Sequence, residues 1–363
     1  RPKGIRYRHR DMLLASLQIA HHLALHETGG NLQAGDVIMP LIPFFHIHGW
    51  GSPFFAPYLG ATLILPERAD ASEQLSLIRA EGVTWSNMVP TQLHMLLQAA
   101  EDAQDGEASL SLRVLTGGSP LPSGRARGAA AAGVDFSLIY GGSDQLATSI
   151  SAVKATRTGD DRLHVLSTRT RPLPMVRVDV RDFDAQSVPR DGASIGEVWV
   201  QSPWLPKGYF GDEAQSEAAF IDGWFKTGDL AVWYEDGSLY VLDRQKDAIK
   251  SGGEWIATSV IEAIISELDT VAIVAVLAEP DPRWGERPVA VIQRQHSDVG
   301  EDSASELTEA LLRVHLQQAV KDGRLAAFWI PDRFVFVDAM PMTSAGKIHK
   351  AVLRERVVEG DKE

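Results

Sequence analysis

Apolar residues recur along the first half of the chain in two alternating rhythms. Residues 11–25, DMLLASLQIAHHLAL, space them by three and four, as a helix with one buried face requires, whereas DVIMPLI at 36–42 is nearly continuous over the length of a buried strand. The alternation continues through helix-like FFAPYLG, strand-like ATLILP, helix-like SEQLSLIRAEG, the short strand VTWSNMV, the helix TQLHMLLQAA, and the strands LRVLTGG and VDFSLIYGG. Such an order predicts an α/β fold, a parallel or mixed sheet covered by helices, with ligands in crevices beyond the carboxyl ends of the strands. Two of those strands run directly into glycine pairs, Gly117-Gly118 and Gly141-Gly142.

From about residue 174 the period shortens to two. VRVDVRDFD and GEVWVQS read as half-buried strands, and AVWYEDGSLYVLD carries Asp236-Gly237, a hairpin signal. A small antiparallel subdomain is expected there. After DRQKDAIKSGGEW the pattern turns to helix, strand, strand, helix, strand, helix, ending with RFVFVD and KAVLRERVV, enough for a compact α+β lid. The expected division is 1–173 for the α/β part of a larger body, 174–245 for its β-rich subdomain, and 246–363 for a mobile carboxyl-terminal lid.

Composition narrows the function classes. A chain of 363 residues, 44% hydrophobic and 23% charged, buries an ample core. Its formal net charge of -13 argues against a nucleic-acid or anionic-membrane partner, so any phosphate binding must be local. There is no cysteine, hence no disulfide framework and no thiol nucleophile. The best apolar run, VAIVAVLA at 271–278, has the length of a strand, so no membrane span is expected. Nothing at the visible amino end reads as a signal peptide, and cytoplasm is the default expectation.

Five separated segments suit the handling of a nucleotide: VLTGGSPLP at 114–122, IYGGSDQLAT at 139–148, WFKTGDL at 224–230, DRQKDAIKSGGEW at 243–255 and PMTSAGKIHK at 341–350. Glycine pairs after strands let a base or phosphate approach the backbone, and free amides cradle anions. Asp229 could accept from a ribose diol, and Lys347 in a glycine-flanked loop could deliver a positive charge. Each feature alone has an ordinary reading as a turn or a solvated side chain. Their order and spacing carry the argument.

The set resembles the ordered core motifs of the adenylate-forming superfamily, which holds acyl-CoA synthetases, firefly luciferase and nonribosomal peptide synthetase adenylation domains. FFHIHGW, WGERPVAV and the Trp255 of KSGGEW look most like the medium-chain fatty acyl-CoA synthetases. Arg1-Pro2-Lys3-Gly4 resembles the end of the family's phosphate loop. An upstream amino-terminal part of the same protein is therefore expected to supply the preceding Ser/Thr and Gly amides, and Lys3 is counted with the nucleotide-binding residues.

The resemblance implies a two-step ligase. A carboxylic acid attacks the α-phosphate of ATP with Mg2+, giving an acyl-adenylate and pyrophosphate; coenzyme A then displaces AMP. The alternative is transfer to an amine, as in coronafacic acid ligase-type relatives. By the same resemblance Lys347 is the adenylation lysine and His46 borders and gates the acyl pocket. Gly117, Gly118 and Ser119 match the adenine-side loop, Tyr140 the aromatic on the base, Gly141, Gly142 and Ser143 the loop facing the phosphates, and Asp229 with Arg244 the ribose-binding pair. Asp144 stands where the family has a magnesium-binding glutamate, one methylene shorter. Lys246 is the hinge, and Lys250, Gly252, Gly253 and Trp255 line the acceptor channel. STRTRPLP at 167–174 departs from the family's Gly-Arg-Pro pattern.

Overall fold

The computed structural model describes all residues except 1–2, 47–48, 50, 68–69, 104–108, 119–120, 122, 154–156, 269, 296–306, 343–347 and 360–363. The chain divides into two compact units, Arg1–Val241 and Leu242–Glu363.

The first unit opens with β1 (Gly4–Ile5) and α1 (His9–Leu25) and then alternates β2 (Val37–Pro40), α2 (Ser52–Tyr58), β3 (Thr62–Leu63), α3 (Ala71–Ala80), β4 (Trp85–Met88), α4 (Pro90–Asp102), β5 (Leu112–Gly117), α5 (Ser123–Ala131) and β6 (Val134–Gly142). With β7 (Leu146–Ile150) and β8 (Arg171–Pro172), these strands form a seven-stranded sheet in the order β3-β2-β4-β5-β6-β7-β8. Its first five strands are parallel, β7 pairs antiparallel with β6, and β8 pairs antiparallel with β7.

Period-two alternation explains why these strands read as continuous apolar runs. Met39 and Val114 enter one core with Leu93 and Leu96 of α4, while their neighbours Ile38 and Leu115 enter another with Ile19 and Leu23 of α1. Local chemistry sets the helix starts. Asp70 caps α3: the Glu73 amide donates to its Oδ1 at 2.9 Å, and the Asp70 amide donates to Glu73 Oε2 at 3.0 Å. Pro90 opens α4, where its missing N–H costs nothing. The periodic pattern anticipates neither β7 nor α6 (Gly159–Thr168). In α6 the polar GDDR start and the Ser-Thr end leave Val165 and Leu166 as its fully buried apolar residues, too few to print a period.

The β-rich layer contains β9 (Arg177–Arg181), β10 (Gly196–Gln201), β11 (Tyr209–Phe210), α7 (Glu213–Ala219), β12 (Phe220–Ile221), β13 (Trp224–Trp233) and β14 (Leu239–Arg244). Its sheet runs β12-β13-β10-β9, with β14 also on β13, and β11 pairs instead with β1. The turn at Asp236-Gly237 forms as its sequence predicts: Gly237 takes φ +79°, and its amide donates to the Tyr234 carbonyl at 2.8 Å.

The second unit contains β15 (Ile249–Ser251), β16 (Glu254–Ile256), α8 (Thr258–Ile265), β17 (Val271–Asp281), β18 (Gly285–Arg294), α9 (Glu309–Lys321), β19 (Arg333–Val337) and α10 (Lys350–Arg354). The sheet order is β16-β15-β18-β17, with β19 parallel to β18. Val276 and Ala290 face α8 and α9, whereas Leu277 and Val291 face Leu353 of α10. One sheet is thus covered on both sides. VAIVAVLA is a strand, and no described helix is long and apolar enough to cross a membrane.

Candidate active site

In the first unit, β5 and β6 are adjacent parallel strands and place Gly117 beside Ile139, so the two glycine-terminated strand ends lie together. Gly118 takes φ +92°, a conformation that favours glycine. β6 turns back into β7 through Gly142, Ser143, Asp144 and Gln145, with an irregular register between Tyr140 and Gly141. A Cβ on Gly141 would stand 2.1 Å from the Leu146 carbonyl oxygen, so this position has no room for a side chain.

Tyr140 reaches from β6 to β13. Its hydroxyl donates to Asp229 Oδ2 at 2.7 Å, while Gln145 Nε2 approaches the same hydroxyl at 3.5 Å. Burial, followed by the negative charge of Asp229, pushes the phenol well above its ordinary pKa and keeps it a donor. Asp229 is itself held by its own turn: its amide donates to Thr227 Oγ1 at 3.0 Å, the Thr227 hydroxyl to the Val198 carbonyl at 2.8 Å, and the Gly228 amide to Glu197 Oε1 at 3.0 Å. The Thr-Gly-Asp sequence therefore works as a unit on β10 and β13.

A second cluster gathers Lys3, Ser143 and Asp144. The β1–β11 ladder sets Gly4 against Phe210 and Ile5 against Tyr209, and Lys3 Nζ stands 4.2 Å from the Tyr209 ring centre. The Tyr209 hydroxyl donates to Asp144 Oδ2 at 3.0 Å, and the Tyr7 hydroxyl to the Ser143 carbonyl at 2.7 Å. Burial and the Asp144 charge raise both phenols, so each stays protonated. Tyr7, Tyr209, Thr227, Glu197 and Gln145 are absent from the residues singled out by sequence. The Thr-Gly-Asp spacing could have nominated Thr227; Tyr209 has no local signal, because its partner lies 65 residues away.

His46 is partly buried, its amide donating to the Pro43 carbonyl at 3.0 Å and its ring 4.5 Å from that of Phe45. No group of three His, Asp or Glu side chains that could hold a metal occurs among the described residues. Ser119, Lys347, His48 and Trp50 lie outside the described residues.

In the second unit Arg244 and Lys246 are exposed at a turn where the Asp247 and Ala248 amides both donate to the Arg244 carbonyl at 2.8 Å. The Asp243 carboxylate accepts from the Arg244 amide at 2.8 Å, from the Thr258 amide at 3.0 Å, and from the Thr258 hydroxyl. KSGGEW is the β15–β16 hairpin, with Lys250 opposite Trp255 and Gly252 and Gly253 at φ +60° and +90°. The Gly252 amide donates to the Trp284 carbonyl at 2.8 Å, and a Cβ there would touch the Trp284 ring at 3.0 Å.

Residues 1–210 match the family model for AMP-binding enzymes. The chain belongs to the AMP-binding enzyme family. Residues 260–347 match that family's C-terminal domain. Relatives of this AMP-binding enzyme include a long-chain-fatty-acid–CoA ligase of Thermus thermophilus, 35% identical over 98% of this chain and 63% of that protein. Another is a medium-chain-fatty-acid–CoA ligase of Ectopseudomonas oleovorans, 34% identical over 98% and 62%. The chain thus spans less than two thirds of the length of these curated relatives.

Among solved structures, the amide bond synthetase McbA from Marinactinospora thermotolerans is similar at a TM-score of 0.80 and 26% identity, covering 98% of this chain and 68% of McbA. ATP-bound MatB from Rhodopseudomonas palustris is similar at 0.79 and 27%, covering 100% and 67%. These likenesses agree with the α/β body and α+β carboxyl-terminal unit that the sequence predicts.

Proposed function

We propose that the intact protein is an ATP-dependent carboxylate-activating ligase that forms an acyl-adenylate and passes the acyl group to coenzyme A. The observation that carries this reading is the Tyr140–Asp229 pair beside two glycine-terminated parallel strands, in a chain of the AMP-binding enzyme family. Gly117, Gly118 and Ser119 take the adenine edge. Tyr140 offers the base its ring while its hydroxyl fixes the Asp229 carboxylate, which with Arg244 receives the ribose hydroxyls. Lys3 and the Gly141-Gly142-Ser143 turn serve the phosphates.

A carboxylate cannot expel oxide, so the acid must first become a mixed anhydride with a good leaving group. Negative charge then concentrates where the acid oxygen meets the α-phosphate, and a positioned ammonium counts most there. Lys347 takes that role. Mg2+ fits Asp144, because an ion that keeps several waters and shares substrate phosphate oxygens needs only one or two protein carboxylates. Tyr209 aims that carboxylate through its Oδ2, leaving Oδ1 for the ion or one of its waters. Bound there, Mg2+ would neutralise phosphate charge.

His46 borders the acyl pocket. Lys246 absorbs the dihedral change between half-reactions, after which Lys250, Gly252, Gly253 and Trp255 border the acceptor path. Fatty-acid–CoA ligases among the relatives favour an apolar acid and coenzyme A. The likeness to McbA supports a second reading, transfer to an amine.

The test offers the intact enzyme a panel of carboxylic acids with ATP and Mg2+, follows pyrophosphate release, then supplies coenzyme A or amines and identifies products by mass. Thioester at low coenzyme A is the expected product. Saturable amide formation with little thioester would replace the first reading by the second, and no pyrophosphate with any acid would refute both.

A further inference from the structure

Lys350 opens α10 three residues after Lys347, yet its ammonium points into the second unit's own interior. Nζ donates to Glu262 Oε1 at 2.8 Å, to Thr258 Oγ1 at 3.1 Å and to the Val276 carbonyl at 3.4 Å. An ammonium has three N–H donors, and all three are placed. Lys350 therefore has none left for a substrate.

The network continues in one direction. Thr258 accepts from Lys350 through the same hydroxyl that it donates to Asp243, the residue that opens the turn holding Lys246. Glu262 Oε1 also accepts from the Val276 amide at 2.8 Å, anchoring the carboxylate to β17. Burial alone would lower the Lys350 pKa; the Glu262 and Asp243 carboxylates outweigh it and hold it raised, so the cation persists. On the other side, Ile348 pairs with Met342, and the His349 amide donates to the Pro341 carbonyl at 2.7 Å.

We infer that Lys350 is a positioning residue for Lys347, holding the chain at Ile348 and His349 against α8 and β17 and, through Thr258 and Asp243, tying it to the turn around Lys246. This rests on the ligase reading above. Lys347 lies three residues before Lys350, a stretch of chain that spans at most about 11 Å. Misplacement by about 1 Å is enough to cost a reaction of this kind about a hundredfold. Arginine could not replace Lys350, because its planar fork does not present three donors as a tripod.

The test uses the intact enzyme and two readouts. Lys350→Met should lower single-turnover pyrophosphate release at saturating ATP by about tenfold to a hundredfold, with KM for ATP changed by less than about threefold. Transfer from supplied acyl-adenylate should change far less. Adding Glu262→Gln removes the unpaired carboxylate and should restore thermal stability without restoring pyrophosphate release. Recovery of both together would make Lys350 merely structural and overturn the inference, as would a full adenylation rate in Lys350→Met.

Hydrogen exchange gives the second readout, independent of turnover. Protection of the His349 and Thr258 amides should fall together in Lys350→Met, and unchanged protection at either overturns the link. If that variant does not fold, Thr258→Val decides: it keeps the Lys350–Glu262 pair and should still loosen the Asp247 and Ala248 amides, whereas unchanged exchange there overturns the link. A wild type that forms no adenylate would refute the ligase reading, while the exchange result would still decide the coupling.

Discussion

Under the proposed ligase reaction, single side chains should separate the two half-reactions. Lys347→Ala in the intact enzyme should slow acyl-adenylate formation by about a hundredfold or more, the scale of losing one charge partner of a transition state. Transfer from supplied adenylate should survive, and an equal fall in both steps would show that Lys347 is not confined to the first. A different residue contributes to the loss of stability in acid. His22 is buried with both ring nitrogens lacking a hydrogen bond of normal geometry, and burial, then His26 and His21, lower its pKa from 6.5 to about 4. Between those values the unfolded chain binds the proton more readily, so stability rises with pH across this window and is lost as pH falls through it. Thermal unfolding of His22→Gln should show a flatter pH dependence from 6.5 to 4 than the wild type; parallel curves would exclude His22 as the cause. Sequence could not have singled out this residue, because His21, His22 and His26 all sit in the same helical pattern and only packing decides which is buried.

Among the elements, glycines that look alike in sequence do different work. At Gly141 an added Cβ meets a backbone oxygen at 2.1 Å, whereas at Gly253, φ +90°, nothing lies within 4 Å. Gly141→Ala should therefore force the β6–β7 hairpin apart, costing about 2 kcal/mol or more and weakening nucleotide binding. Gly253→Ala should cost only the backbone term, about 1–2 kcal/mol. Denaturant titration with an ATP-analogue binding assay compares them, and equal costs would mean that the hairpin yields. The strand-ending glycine pairs and the Asp236-Gly237 hairpin were legible because turn chemistry is local. The Tyr209–Asp144 and Tyr140–Asp229 bonds were not, since each joins elements that only the folded chain brings together. α6 was hidden for another reason, its polar ends masking a short buried face.

For the whole molecule, proline at Lys246 would fix φ in the exposed turn and oppose rotation there without touching the nucleotide residues. Adenylation should persist and transfer should stall, as read by pyrophosphate release and product mass; intact transfer would move the hinge elsewhere. The alternating pattern made the α/β body and the α+β carboxyl-terminal unit readable from sequence, and motif order made the family readable. The β1–β11 ladder has a kinetic consequence. It pairs Gly4 and Ile5 with residues about 200 positions away, a contact of very high sequence separation made by only two residues on each side. Such a closure gains too little to nucleate folding and must wait until the β-rich layer exists. During refolding of the intact enzyme, fluorescent ATP-analogue binding should therefore appear after most of the far-UV signal has returned. Refolding chains would pass through an interval in which they are largely formed yet blind to nucleotide.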